Sequence, residues 1–174
     1  MSEFHRLYRE WIAGKLEALD GSGAVHRYQP VLQTWGQFKS AFDSGEKDAQ
    51  GLTLFRGWAI QIVSAPTSTV DRCTLVRSYR AELRYFASPH TGDEPAGGGE
   101  VVYVGRSELD VWDHIAAAQA ALSTLTEVDR FAASLYSIED AVIEPRVDYS
   151  AWGDNLAHVA TLTITASERI TRGE

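Results

Sequence analysis

The stretch "CTLVRSYRAELRYFAS", residues 73–88, decides the fold. Tyr79, Ala81, Leu83 and Tyr85 fall on one side of an extended chain and Arg80, Glu82 and Arg84 on the other, because successive side chains of a strand point to opposite faces. Apolar residues on one side and charged residues on the other mark a sheet with one wet face. The preceding run "LTLFRGWAIQIVSAP", residues 52–66, sets Leu52, Leu54, Trp58, Ile60 and Ile62 against Thr53, Phe55, Ala59, Gln61 and Val63. Period two with many branched and aromatic residues is a second strand, ended by Pro66 and "TSTVD". The two runs are expected to pair as neighbours.

Upstream, Phe4, Leu7, Tyr8, Trp11, Ile12, Leu16 and Leu19 recur at three- and four-residue steps, which predicts an amphipathic helix over 2–19. The glycines of "DGSG" at 20–23 end it. Residues 24–50 are read as an extra, shorter helical segment: Pro30 suits a first helical turn, and Val31, Leu32, Trp35, Phe38 and Phe42 keep helical spacing until "DSGEKDAQG". Downstream, "PHTGDEPAGGGE" predicts a flexible loop over 88–100. A third helix follows, with Ser107 and Asp110 in capping-box spacing ahead of Leu109, Val111, Trp112, Ile115, Ala118, Leu122 and Leu125. The chain closes on a strand within "SIEDAVIEPRVDYS", a compact turn "SAWGD", and a last strand "NLAHVATLTITAS". This order predicts one α+β domain over 1–174, with a mostly antiparallel sheet of about four to five strands and helices on one face.

Composition narrows the function. The 174 residues carry a formal charge of −8, which argues against gripping phosphates. Between 107 and 150, Glu108, Asp110, Asp113, Glu127, Asp129, Glu139, Asp140, Glu144 and Asp148 outweigh Arg130 and Arg146, an acidic face open to solvent. No apolar run approaches the roughly 18 residues of a membrane span. The charged N-terminal stretch lacks the pattern of a secretory leader, so the expected compartment is the cytoplasm in which the chain is made. The single cysteine, Cys73, forms no internal disulfide and no metal knuckle, and is expected to be an inert core thiol.

Catalytic patterns are missing. The glycines of "AGGGEVVYVGRSEL" precede a strand rather than a helix, carry no Lys-Ser or Lys-Thr pair, and stand beside Glu100, which would repel phosphate. His5, His26, His90, His114 and His158 show no metalloprotease spacing, and the Asp110, Asp113 and His114 group reads as a surface ion pair at a helix start. His158 shares strand parity with Leu156, Ala160, Leu162 and Ile164, which makes it an inward-facing residue rather than a catalyst. No GxSxG elbow, triad, metal cluster or cofactor fingerprint is present, so neither an enzyme nor a bound cofactor or metal is expected.

The helix "FHRLYREWIAGKL", the arginine-bearing strand "VRSYRAELRYFAS", the helix "SELDVWDHIAAAQAAL" and the closing "AVIEPRVDYSAWGDNLAHVATLTIT" together resemble the tail-terminator, or tail-completion, proteins of long-tailed bacteriophages. The resemblance covers most of 1–20 and 52–168. It implies a tail-terminator-like fold and a structural virion protein, assembled in the host cytoplasm: a homohexameric ring that caps the tail tube, stops its elongation and presents a surface to the head connector. The implied partners are other copies of the chain, the tube protein, the connector or head-completion protein and, in a contractile phage, the sheath. DNA would pass through the acidic channel without specific binding. Residues expected at subunit or tube contacts are Arg77, Arg80, Arg84, Glu94, Glu100 and Trp152, with arginines of one copy meeting acids of the next. The chain departs from the family at 24–50 and 88–100. Two other readings remain open: another neck or head-completion protein, and a small α+β enzyme with a pocket near Trp152, Asp154 and His158.

Overall fold

A computed structural model describes residues 3–47, 51, 53–64, 66–88, 105–123, 135–142, 148–152 and 155–171. In chain order these form α1 (Glu3–Glu17), β1 (Ala24–His26), α2 (Trp35–Ala41), β2 (Asp43–Lys47), β3 (Thr53–Ser64), β4 (Thr67–Thr69), β5 (Thr74–Ala87), α3 (Gly105–Ser123), β6 (Leu135–Val142), β7 (Asp148–Trp152) and β8 (Asn155–Thr171). The class is α+β, built on one mixed sheet with three helices among the described residues.

The sheet runs β1-β3-β5-β8-β6, with β2 beside β3, β4 beside β5 and β7 beside β8. The described strands number eight, beyond the expected four or five, because β1, β2, β4 and β7 are too short or too polar to show a period. As expected, β3 and β5 pair antiparallel, with Trp58 opposite Tyr85 and Ile60 opposite Leu83. The long partner of β5 is β8, in unbroken antiparallel register from Thr74↔Thr171 to Ala87↔His158. One pairing is parallel: β1 lies along β3 with Ala24 opposite Gly57.

Strand parity separates two cores. Trp58, Ile60, Tyr79, Leu83, Tyr85, Ala160, Leu162 and Ile164 point to one face, where α1 supplies Phe4, Tyr8, Ile12 and Leu16 and α3 supplies Val111, Ile115, Ala118 and Leu122. Both helices are amphipathic as their spacing predicts, and each buries one stripe. The expectation of helices on one face fails for α2. Its Phe38, together with Phe42, packs against Ala59, Phe86 and Ala157 on the opposite face. Those positions make an apolar patch at one end of an otherwise polar face, and a seven-residue helix is long enough to cover it.

The start of α2 also corrects the sequence reading. Pro30, Val31 and Leu32 precede the helix, and Thr34 caps it: the Gln37 amide donates to Thr34 Oγ1 at 3.2 Å while Gln37 Oε1 accepts from the Thr34 amide at 3.2 Å. "TWGQ" is therefore a capping box. In α3 the helix begins at Gly105, so Ser107 lies inside its first turn rather than at its cap, and the described helix ends at Ser123. "DSGEK" is strand rather than loop, held by the pairing of Asp43 with Phe55 and of Lys47 with Thr53. Ser150, Ala151 and Trp152 belong to β7, paired with β8 from Asp148↔Val159 to Trp152↔Asn155, and not to a turn. Cys73 is exposed at the β4–β5 turn instead of buried. The loop 89–100 falls outside the described residues.

Candidate functional site

The sheet's second face, past α2, is where its polar side chains gather. Arg80, Glu82 and Arg84 of β5 share it with Thr161, Thr163 and Thr165 of β8, since Arg84 stands opposite Thr161, Glu82 opposite Thr163 and Arg80 opposite Thr165. On β3, Gln61 lies opposite Glu82 and extends the same row. Arg80 and Gln61 are exposed, and the threonines are half-buried by their neighbours. Within the strand, Arg84 Nη2 reaches Glu82 at 3.5 Å, a long, half-exposed contact worth only about 0–1 kcal/mol. Threonines suit such a row because their branched side chains favour the pleated backbone while their hydroxyls stay available.

Arg77 does not join Arg80 and Arg84. Its odd position places it on the helix-bearing side, beside Tyr79. There the Tyr79 hydroxyl donates to Glu168 at 2.8 Å and Arg77 Nε approaches Thr67 Oγ1 at 3.5 Å. Hydrogen bonding to Tyr79, aided by the charge of Glu168, strengthens the hold of Arg77 on its proton. Glu94 and Glu100 lie outside the described residues. Trp152 is the last residue of β7, opposite Asn155, and only its backbone is described. The expected contact set is thus divided: Arg80 and Arg84 together, Arg77 across the sheet.

His158 is fully buried, opposite Ala87 and Tyr149, on the face that carries Ala160, Leu162 and Ile164. An imidazole sealed there cannot meet a substrate, which removes the basis for a pocket around it; Asp154 lies outside the described residues. His114 likewise does not pair with an acid through its ring. Its Nδ1 lies 2.7 Å from the Asp110 carbonyl oxygen and its Nε2 2.9 Å from that of Gly21, and the ring stacks on Tyr85 at 5.3 Å. The residue ties α3 to the turn after α1.

Beside it Arg56, paired with Glu46, lines a shallow cleft with Tyr85, Ser88 and Asp110. The cleft holds about 10 Å³, room for a single water and not for a metabolite. Burial pushes the hydroxyls of Tyr85 and Tyr8 far above the ordinary tyrosine range, so both stay neutral and act as packing groups. Sequence reading passed over Arg56, whose only signal was a cation within an apolar strand. Among the described residues no three metal-ligating side chains come together, and no helix is long and apolar enough to cross a membrane.

The fold and this surface define a mixed α+β domain whose sheet is roofed by two helices on one face and presents arginine, glutamate and threonine on the other. No family model matches the chain, and no curated protein matches it.

Proposed function

We propose that this chain is a structural subunit of a bacteriophage tail, the terminator whose ring caps the tail tube, stops its growth and offers the head connector its attachment surface. The observation that carries the reading is the open face on the two adjacent long strands, β5 and β8. It presents Arg80, Glu82, Arg84 and the threonine row to a flat partner, and charged groups on such a surface select partners and fix their orientation. The resemblance of the first helix, the arginine-bearing strand, the third helix and the closing strands to tail terminators supplies the class of partner. The charge of −8 suits a channel through which DNA slides.

Tails assembled without the protein are the direct test. Overlong tails in electron micrographs are the expected result; normal tails attached to heads would reject the reading. Tails of normal length that lack heads would assign the chain to a head-completion role instead.

The open face has its own test. Charge reversal at both Arg80 and Arg84 is expected to weaken ring assembly on tubes by about tenfold, since interfacial charge pairs couple more strongly than exposed ones. The melting temperature should stay within about 2 °C of wild type, as surface substitutions usually change stability by less than ~0.5 kcal/mol. Assembly at the wild-type level would take this face out of the contact.

A further inference from the structure

His114 reaches two acceptors at once. Its Nδ1 stands 2.7 Å from the carbonyl oxygen of Asp110, on its own helix, and its Nε2 stands 2.9 Å from that of Gly21, in the turn that follows α1. Both are N–H···O distances, and a carbonyl oxygen only accepts. A neutral imidazole carries one N–H, so in either tautomer the other nitrogen would turn its lone pair on a carbonyl oxygen at hydrogen-bond range. Only the imidazolium, with a proton on each nitrogen, satisfies both contacts.

The ring has little freedom to turn away, because it stacks on Tyr85 with 11° between the planes. Asp110 lies one turn back on α3, so that contact cannot part while the helix persists. The contact with Gly21 joins separate segments and is the one that can open. Charged side chains surround the ring on several elements. From β3, Arg56 brings Nη2 within 2.8 Å of the point a Cβ of Gly21 would occupy, and His114 Nε2 lies 3.0 Å from the same point. Arg56 is paired with Glu46 of β2. Asp110 and Asp113 stand on α3 and Asp20 precedes Gly21, while the Tyr85 hydroxyl stays neutral. Among these described groups the acids outnumber the one cation, so the local charge does not oppose a second proton on the ring.

We propose that His114 is a proton-operated clasp between α3 and the turn that joins α1 to β1. With both ring protons in place it donates to Asp110 and to Gly21 and fastens the turn to the helix. When one proton leaves, Nδ1 keeps the other for Asp110, Nε2 presents a lone pair to the Gly21 oxygen, and the turn is released. The clasp is therefore made at low pH and lost as pH rises through the range, about pH 5 to 8, in which histidines give up their charge. The turn is a joint of the fold. Gly23 packs against the Arg56 carbonyl with no room for a Cβ, and β1, which starts at the next residue, pairs with β3. Release loosens the C-terminal end of α1 and the entry to β1, and leaves the β3–β5–β8 pairings as they are. The clasp is independent of the tail reading.

The test follows the full chain by NMR at about pH 5 and about pH 8, for wild type, His114→Gln and His114→Phe. Nitrogen-15 spectra of the wild-type ring should show two N–H groups at the lower pH and one at the higher. The Ser22 amide, which donates to the Leu19 carbonyl at 3.2 Å within the turn, reports release through hydrogen exchange. Corrected for the intrinsic effect of pH, its protection should fall about tenfold between the two conditions, the loss of one hydrogen bond from a charged donor. His114→Gln, whose amide can donate to Gly21 at any pH, should hold the same protection at both. His114→Phe keeps the ring stack without a donor and should show the lower protection throughout. A single ring N–H at the lower pH, or two at both, overturns the clasp. So does wild-type protection that does not change, or a fall that His114→Gln shares. Should His114→Phe fail to fold, wild type against His114→Gln decides.

Discussion

Gly57→Ala should lower the melting temperature by about 10 °C or more, the equivalent of ~3 kcal/mol or above in a domain of this size. A methyl group at Gly57 would stand 2.2 Å from the Ala24 carbonyl oxygen, 2.9 Å from the Ala24 amide nitrogen and 2.9 Å from Cδ1 of Phe42. Two of those atoms are backbone and cannot rotate away. Relief therefore requires β1 to leave β3, which breaks the parallel register at Ala24↔Gly57 and loosens the cluster that seats α2.

Gly23→Ala should cost as much. Its Cβ would meet the Arg56 carbonyl oxygen at 2.1 Å, and its φ of +72° is one that a side chain resists. Gly14→Ala is the control: nothing lies within 4 Å, and alanine in a helix interior should stabilise by about 0.5–1 kcal/mol. Thermal and urea denaturation of the three variants measure this directly. A Gly57→Ala protein melting within 2 °C or so of wild type would mean that β1 does not sit against β3 in this register.

The second large effect belongs to Trp58, the largest side chain that is fully buried. Its ring packs 4.8 Å from that of Tyr85 under the two roofing helices. Trp58→Ala should cost about 3–5 kcal/mol through lost burial and the cavity left behind. Trp58→Phe should cost clearly less, for two reasons. The smaller ring still fills much of the space, and the substitution removes an indole N–H that is buried without a partner among the described residues, a group whose desolvation is worth roughly 1–3 kcal/mol. Denaturant midpoints at constant slope separate the two variants. Equal losses would show that the indole nitrogen makes a hydrogen bond that Phe forfeits.

These sites illustrate what could be read from the chain. Alternation in 53–64 and 74–87 is a local property, so the pairing of β3 with β5 and the inward set Tyr79, Leu83 and Tyr85 were legible, as was the inward side of His158. The division of Arg77 from Arg80 and Arg84 was equally available in their parity, although grouping them by charge obscured it. The capping box "TWGQ" was legible too, but Pro30 offered a competing start signal five residues earlier.

Other features had no local signature. β1 is three residues long and β2 reads "DSGEK", so neither shows a period; their strand geometry comes from hydrogen bonds to β3. The buried guanidinium of Arg9 was equally invisible, because helical spacing places it at the margin of the apolar stripe and the Tyr28 ring that lies over it comes from beyond the helix.

The order of residues was enough to determine the class, the two roofing helices and the apolar side of each long strand, since these follow from periodicities of 3.6 and 2 that operate within a few residues. Tertiary structure alone decided that β8 is the long partner of β5, that β1 runs parallel to β3, that α2 lies on the far face, and that Arg9 is buried with two of its donors unmet among the described residues. Each of these depends on groups distant in sequence meeting in space, where backbone pairing and burial outweigh the weak preferences of short polar segments.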